Sequence, residues 1–288
     1  MKNAFTVDLE DWFQGLTSTN RQPEQWPVYE ARVEENTERL LALLDEYNVR
    51  GTFFVLGHLA NDYPDLIRRI DAAGHEIGVH GYWHLMVHRL TPARFADELD
   101  QALDVLLPLV NQPIIGHRAP YFSINSTALW ALDLLKERHF EYDSSFFPTR
   151  NMLYGYPGAP RFPHQLQNGL MEFPASTARW LGVNFPIAGG FYVRSLPYRL
   201  IRQGIRQLHQ QGQPAIMYLH PWEMDTGQRY KKITLRERIT HYHGRATLEK
   251  KLRALLSEFD FVPLRELMKG ESSDANCSDA GTGQGQMG

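Results

Sequence analysis

The sequence has almost no cysteine. Its 288 residues include one, Cys277, which lies in a polar C-terminal stretch. A single cysteine excludes a disulfide within the chain and argues strongly against a metal site built from thiolates. Any metal site in this sequence is therefore expected to use histidine and carboxylate ligands.

Long apolar runs and a strong net charge are also missing. No stretch approaches the roughly 18 apolar residues that a membrane-spanning helix needs, and the N-terminus lacks the basic and apolar regions of a secretory signal. The formal net charge is −3, so neither charge nor motif predicts nucleic-acid binding. We expect a cytoplasmic protein without a transmembrane segment, with peripheral contact to the inner membrane as an alternative.

The composition and the order of the predicted strands and helices are those of an α/β protein. Hydrophobic residues make up 43% and charged residues 22% of the chain, as in ordinary globular proteins. Short apolar strands alternate with amphipathic helices, one of which is predicted to begin at Thr91 and Pro92, and this alternation predicts a parallel sheet with crossover helices. We expect one barrel-like domain over residues 1–269 and a disordered polar tail over residues 270–288.

One stretch organises the search for a functional site. Residues 75–84 read HEIGVHGYWH, in which a short β-type run leads into His80 and His84. On a helical turn, a spacing of four places both imidazoles on one face, within reach of one ion. The pair predicts a metal site only if a carboxylate completes the ligand set, and two surface histidines are the alternative.

Ionisable residues stand at the end of nearly every predicted strand. They are Asp8, Glu10 and Asp11 after the first strand, and His58, His80, Arg118, Asp143 and His220 after later ones. The carboxyl ends of the strands in a parallel barrel lie on one rim, so these side chains are expected to converge.

The converging groups suit the metal-assisted hydrolysis of an amide. Two neutral imidazoles and one carboxylate bind Zn²⁺, or Co²⁺, Fe²⁺ or Mn²⁺, and leave positions open for water and substrate. A second carboxylate held by Arg118 can take a proton from water, and His220 can protonate a leaving amine.

These residues resemble the polysaccharide deacetylase family, carbohydrate esterases with a nodulation-type deacetylase domain. The resemblance covers about residues 2–265 and rests on five motifs in order: Thr6-Val7-Asp8, His80-Gly81-Tyr82-Trp83-His84, Arg118-Ala119-Pro120-Tyr121, Tyr142-Asp143-Ser144-Ser145 and Leu219-His220. The chain looks most similar to a bacterial branch associated with exopolysaccharide clusters and exosortase systems. That branch is grouped with intracellular peptidoglycan deacetylases and allantoinase-like proteins.

The resemblance implies a distorted (β/α)7 barrel that removes the acetyl group from an N-acetylated amino sugar. It implies the following roles: Asp8 as general base, His80 and His84 as metal ligands, Arg118 as the partner of Asp8, the backbone N–H of Tyr121 as an oxyanion donor, Asp143 as a supporting residue and His220 as general acid. The implied partner is an N-acetylated glycan of an exopolysaccharide or its lipid-linked precursor.

The first motif departs from the family pattern. The family's third metal ligand, an aspartate, would fall on Leu9, which cannot coordinate. Glu10 points to the same side as Asp8 if the strand continues, and Asp11 takes its place if the chain turns. Either acid is expected to join His80 and His84. Relatives with altered first motifs act without a metal, so an enzyme without a metal is an alternative.

Several further expectations accompany this interpretation. Trp222 and Tyr192 are candidate walls for the acetyl group or the sugar ring, and Glu223 is expected either to orient His220 or to cap a turn. An allantoinase-like hydrolase of a small cyclic amide and a non-catalytic glycan-binding protein are the alternative functions. A homo-oligomer is left open.

Overall fold

The computed structural model describes residues 1–150, 155–230 and 232–269. The predicted disordered tail over residues 270–288 lies outside the described residues. None of the helices in these ranges combines the length and the apolar composition that a bilayer-spanning helix needs.

The chain alternates strands and helices, as the sequence predicts. The strands are β1 Asn3–Leu9, β2 Thr52–Val55, β3 Glu76–Val79, β4 Gly116–His117, β5 Tyr142–Asp143, β6 His164–Gln165, β7 Met171–Glu172, β8 Thr177–Trp180, β9 Val183–Pro186, β10 Ile216–Leu219 and β11 Phe261–Val262. The α-helices are α1 Thr17–Asn20, α2 Val33–Glu46, α3 Gly57–Asp62, α4 Pro64–Ala72, α5 Pro92–Leu106, α6 Trp130–Glu137, α7 Gly190–Ser195, α8 Tyr198–Gln210, α9 Leu235–Tyr242 and α10 Arg245–Glu258.

The main sheet is a curled parallel sheet. Its strand order over the described residues is β10-β1-β2-β3-β4-β5-β7-β6, in which only the β6–β7 pair is antiparallel, and β11 pairs with the start of β1. The residues after β7 return to β10, where Ser176 N donates to the Ile216 carbonyl at 3.2 Å. This contact brings the two sides of the curled sheet together, and the predicted α/β class with a distorted (β/α)7 barrel is confirmed.

Strand β1 lies inside the sheet, between β10 and β2, and every one of its residues is buried. It pairs with β10 through Ala4–Val7 and with β2 through Thr6–Leu9, so neither edge is open. Because parallel strands are covered on both faces, even the polar side chain of Asn3 is buried. Its amide oxygen accepts a hydrogen bond from Ala215 N at 2.9 Å.

Local capping sets where the helices begin. Thr91 Oγ1 accepts from Arg94 N at 3.2 Å and Pro92 occupies the first helical position, which confirms the predicted start of α5. Helix α2 is capped from a distance, because the Asp11 carboxylate accepts from Arg32 N at 2.6 Å and from Val33 N at 3.0 Å. A carboxylate at this end of a helix is stabilised by the exposed N–H groups. Asp11 therefore fixes the start of α2 against the end of β1.

Candidate active site

The predicted site residues come together at the carboxyl ends of the strands. Asp8 and Glu10 lie at the end of β1, His80 follows β3, Arg118 follows β4, Asp143 ends β5 and His220 follows β10. All of them are buried except His220, which is partly exposed. The parallel register of the barrel places these ends on one rim, as expected.

Glu10, His80 and His84 form a cluster that can hold a metal ion. One ligand atom from each residue lies within 4.8 Å of the others, and all three side chains are buried. Within the described residues, Glu10 Oε2 and His84 Nε2 have no hydrogen-bond partner. Buried polar atoms are rarely left unpaired, and two nitrogens with one carboxylate are a typical donor set for Zn²⁺. The residues present therefore fit a divalent transition metal.

Hydrogen bonds orient both histidines toward this cluster. His80 Nδ1 lies 2.7 Å from the carbonyl oxygen of Arg118 and must donate to it, since a carbonyl only accepts. His84 Nδ1 lies 3.1 Å from Asn20 Oδ1, and Asn20 Nδ2 donates back to the His84 carbonyl. These bonds leave each Nε2 to carry the lone pair, as in known metal sites. Burial lowers the pKa of His80 to about 4 and that of His84 to about 3, so both rings are neutral near pH 7.

The loop that joins the two histidines is not the predicted helical turn. Residues 80–84 form an irregular bend in which Gly81 and His84 have φ angles of 77° and 56°. Gly81 adopts this left-handed conformation without steric cost, and the chain doubles back after β3 instead of continuing as a helix. The two ring centroids still lie 5.3 Å apart. The predicted proximity is therefore correct, although its assumed geometry was wrong.

Asp11 is not part of the metal cluster. Its two carboxylate oxygens accept backbone N–H groups of Trp12, Arg32 and Val33. Strand β1 continues through Leu9, so Glu10 emerges on the same side as Asp8 while Asp11 turns toward α2. Of the two acids that the sequence left open, the geometry favours Glu10.

Asp8 and Arg118 form a buried ion pair. Arg118 Nη1 donates to Asp8 Oδ1 at 2.8 Å and to Thr6 Oγ1 at 2.7 Å, and Arg118 Nη2 donates to Ser144 Oγ at 2.7 Å. The guanidinium also lies over the Phe54 ring, 4.3 Å from its centroid. These contacts hold the arginine in one position inside the barrel.

The same contacts keep Asp8 ionised. Burial acts to raise the pKa of its carboxyl, but the positive charge of Arg118, with smaller contributions from His80 and His220, outweighs burial and lowers that pKa. A buried carboxylate that remains charged is able to accept a proton from water.

His220 lies between carboxylates. Its Nε2 is 3.0 Å from Glu10 Oε1 and 3.8 Å from Asp8 Oδ2, and its Nδ1 is 2.6 Å from Glu223 Oε1. Burial acts to lower the pKa of this imidazole, but Glu10 and Glu223 raise it well above its usual value. His220 is therefore protonated near pH 7, unlike His80 and His84.

Glu223 is the residue that orients His220. Its Oε1 accepts from both the backbone N–H and Nδ1 of His220, and its Oε2 pairs with Arg194 Nε. Burial acts to raise the pKa of Glu223, but Arg194 and His220 lower it to about 2. The sequence left two roles open for Glu223, and the structure shows both, since these bonds also form a capping box at the 3-10 turn Pro221–Met224.

Arg194 is a site-supporting residue that the sequence did not reveal. The segment around it looked like a turn, but Gly190–Ser195 is the short helix α7, which carries the buried Arg194 to Glu223. The Gly189-Gly190 pair was the one feature of the sequence that marked this segment. The structure requires glycine at position 190, because a Cβ there would lie 1.6 Å from Glu223 Oε1. A second donation, from Arg194 Nη2 to the Thr240 carbonyl at 2.8 Å, ties α7 to α9.

The site opens into a cavity of about 620 Å³ that contains the three predicted substrate-binding residues. Tyr121, Tyr192 and Trp222 line it, together with Asp8, Glu10, His80 and His84. The Trp222 ring stacks on the rings of His220 and His241, with centroid distances of 5.0 Å and 4.1 Å. His241, which the sequence left unassigned, is buried in the cavity wall. A cavity of this size with an aromatic wall suits a sugar ring and its neighbour.

Tyr121 and Asp143 occupy different places in the site. The backbone of Tyr121 is left-handed, with φ of 56°, and its ring centroid lies 4.6 Å from that of His84. Asp143 lies behind the cavity, where it accepts from His117 Nδ1 at 2.7 Å and from Ser145 Oγ at 2.8 Å. Ser145 Oγ in turn accepts from Ala119 N, so Asp143 supports the loop that carries Arg118 and Tyr121.

Comparison with known proteins agrees with this geometry. Residues 22–139 match the family model described as polysaccharide deacetylase, and residues 144–269 match a domain of unknown function (DUF3473). Over residues 22–139 the chain therefore matches the polysaccharide deacetylase family. Asp8 and Glu10 precede both matched ranges, and His220, Glu223 and Arg194 fall in the range whose function is unknown.

Curated relatives of this family align over part of the chain. A peptidoglycan-N-acetylglucosamine deacetylase of Bacillus cereus is 26% identical over 151 residues, 48% of this chain and 54% of the relative. A peptidoglycan deacetylase of Helicobacter pylori is 30% identical over 107 residues, 37% of this chain and 36% of the relative. A chitooligosaccharide deacetylase of a Bradyrhizobium species is 35% identical over 100 residues, 34% of this chain and 43% of the relative. The chain thus spans about a third to a half of the length of these relatives.

Two solved structures share the fold over most of the chain. A Mycobacterium smegmatis protein provisionally assigned as a polysaccharide deacetylase has a TM-score of 0.65 at 20% identity, covering 96% of this chain and 92% of that protein. An allantoinase has a TM-score of 0.60 at 16% identity, and the match covers 92% of this chain and 88% of the allantoinase. At these identities the likeness establishes the fold.

Proposed function

We propose that the protein is a metal-dependent N-deacetylase that removes the acetyl group from an amino-sugar unit of a polysaccharide. One observation carries the proposal: Asp8, paired with Arg118, and His220, paired with Glu223, border the Glu10, His80 and His84 cluster in a cavity of about 620 Å³. The names of the curated relatives, all deacetylases of acetylated glycans, support the same substrate class.

Glu10, His80 and His84 would hold the metal, with Zn²⁺ as the preferred ion. When bound, such an ion polarises the acetamide carbonyl and lowers the pKa of water. The softer nitrogen ligands favour Zn²⁺ or Co²⁺ over Mg²⁺ or Ca²⁺.

The chain's own residues move the protons. Asp8, fixed by Arg118, takes a proton from the water that adds to the acetamide carbon. The backbone N–H of Tyr121 is assigned to donate to the carbonyl oxygen as negative charge develops on it. His220, held protonated by Glu223, gives its proton to the sugar nitrogen as the carbon–nitrogen bond breaks. The products are acetate and a free amine.

The size of the cavity favours a glycan over a small cyclic amide. A cavity of about 620 Å³ holds more than one sugar ring, whereas an allantoin-sized ring would leave most of it filled by water. Trp222 and Tyr192 supply apolar surface for the acetyl methyl group or a sugar ring. The resemblance to exopolysaccharide-associated proteins makes an exopolysaccharide, or its lipid-linked precursor at the cytoplasmic side of the membrane, the proposed substrate.

The test is acetate release from chito-oligosaccharides, with allantoin ring opening measured in parallel. We expect acetate from the glycan, loss of activity with a chelator, recovery with Zn²⁺, and activity lowered about a thousandfold in Asp8→Asn. Ring opening without acetate release would indicate an allantoinase-like enzyme. Glycan binding without either reaction would indicate a non-catalytic glycan-binding protein.

A further inference from the structure

A second cavity, of about 160 Å³, adjoins the active site. It shares Thr17, His84 and Tyr121 with the main cavity, so the two spaces meet at the metal-ligand cluster. Its remaining lining comes from the end of α1 and from the loop after His84. The two cavities therefore border each other at these shared residues.

Arginines dominate the charge of this second cavity. Arg21 and Arg89 line it, and none of its lining residues is an aspartate or a glutamate. Over the described ranges, neither guanidinium has a hydrogen bond or an ion pair, although both side chains are exposed. Arg69, by contrast, is an exposed arginine that pairs with two carboxylates, those of Glu34 and Glu38.

Arg21 lines the same cavity as His84 and Tyr121, two of the residues shared with the main cavity. A guanidinium placed in this way has no protein anion to neutralise it and presents several donors in a fixed fork. Carboxylate and phosphate groups are the oxyanions that this fork matches best.

We propose that the second cavity is a subsite for an oxyanion, a carboxylate or a phosphate, carried by the sugar next to the unit that is deacetylated. The inference rests on the proposed function, and it narrows the substrate class to acidic glycans or phosphate-bearing saccharides. Arg21 and Arg89 are the specificity-determining residues, while Asp8, Glu10 and His220 serve neutral and acidic substrates alike.

The test compares three disaccharides that differ at one carbon. N-acetylglucosamine is linked to glucose, to glucuronic acid or to glucose 6-phosphate, so that the second sugar is neutral, carboxylated or phosphorylated. Wild-type protein is expected to prefer an acidic form, and Arg21→Gln and Arg89→Gln are each expected to reduce the acidic-to-neutral ratio of kcat/KM about tenfold. The preference should also shrink as salt rises to about 0.5 M. The acid that is preferred distinguishes a carboxylate from a phosphate.

Arg199→Gln is the matched control, since this exposed arginine on α8 lines neither cavity. It should leave the ratio unchanged. Equal kcat/KM for all three disaccharides in the wild type, or an unchanged ratio in the Arg21→Gln, Arg89→Gln double variant, would overturn the proposal.

Absence of acetate from every disaccharide would count against the proposed function and would leave the subsite to be judged by binding. Calorimetric titration of the glucuronate, glucose 6-phosphate and glucose disaccharides into Asp8→Asn protein provides that measurement. Tighter binding of an acidic form that is lost in the double variant supports the subsite, and equal binding of all three disaccharides contradicts it.

Discussion

The two halves of the chain build the rim in different ways. In the first half, Glu10, His80 and His84 come from strand ends and meet through the register of adjacent strands. In the second half, His220 depends on Glu223, which depends on Arg194, which is anchored to the carbonyl of Thr240. The first half thus positions its groups by the sheet, and the second half by a chain of side-chain contacts between separate elements.

This difference sets the protonation of the histidines. His80 and His84 face a carboxylate from one side and are held neutral by burial, which suits metal ligands. His220 is only partly buried, and Glu10 and Glu223 raise its pKa well above the usual value, which suits an acid. Three histidines at one rim therefore differ in protonation because their neighbouring residues differ.

The largest expected effect tests whether both halves are needed for turnover. Asp8→Asn removes the proposed base from the first half, and His220→Asn removes the proposed acid from the second. Each is expected to lower kcat about a thousandfold, within the usual range for a lost general acid or base, while bound metal is retained. Acetate release and metal content of the purified variants provide the measurement. If either variant keeps a kcat near that of the wild type, the residue replaced in it is not the proposed acid or base.

The next effect concerns the supporting chain of the second half. Glu223→Gln leaves the buried Arg194 without its counter-charge, so we expect a loss of about 3–5 kcal/mol in the free energy of unfolding near pH 7. Denaturant unfolding measures this loss. Replacing the exposed Glu24 by Gln, which removes a carboxylate away from any ion pair, is the control.

The stability deficit of Glu223→Gln should also depend on pH. The pKa of Glu223 is lowered to about 2, so its stabilising contribution is complete above pH 4.5 and is lost as the pH falls toward 2. The difference between the variant and the wild type should shrink by about 3 kcal/mol over that window. A deficit that stays constant with pH would show that the ion pair does not stabilise the second half.

The first half should lose stability in a different pH window. His75, buried before β3, accepts a hydrogen bond from Gly51 N at 3.1 Å, and burial lowers its pKa to about 4 from 6.5. Stability linked to His75 is present above pH 6.5 and is lost as the pH falls through 4, by about 3 kcal/mol. His75→Gln keeps an acceptor without titrating, so its unfolding free energy should fall less than that of the wild type between pH 6.5 and 4. An identical pH profile for the two proteins would contradict this account.

The smallest expected effect separates Asp11 from Glu10 within the first half. Asp11→Asn weakens the cap of α2 and is expected to lower the free energy of unfolding by about 1–2 kcal/mol. Metal content should be unchanged, because the side chain points away from the histidines. Thermal unfolding and metal analysis of the same sample provide the test, and loss of metal would make Asp11 a ligand.

The sequence could predict the first half well because its groups lie at strand ends. Asp8, His80 and Arg118 follow apolar runs, so a parallel sheet brings them together whatever the loop details. The choice between Glu10 and Asp11 depended on whether β1 continues through Leu9, which a pattern of four residues cannot decide. The prediction of a helical turn at His80–His84 was wrong, because Gly81 adopts a left-handed conformation that the spacing of the two histidines does not reveal.

Much less of the second half could be predicted. His220 followed a strand and was found, but Arg194 reaches Glu223 only through the packing of α7, and His241 reaches Trp222 through α9. The β8–β9 hairpin, formed by Thr177–Trp180 and Val183–Pro186, was not predicted either. Contacts between distant side chains leave no periodic trace, so a single sequence carries little information about them.

Metal binding tests the central claim most directly. Zn²⁺ is titrated calorimetrically into metal-free wild-type, Glu10→Gln and Asp11→Asn proteins. We predict one ion per chain in the wild type and in Asp11→Asn, and an affinity weakened about a hundredfold or more in Glu10→Gln. Equal affinity in the wild type and Glu10→Gln would contradict the assignment of Glu10, His80 and His84 as the metal site.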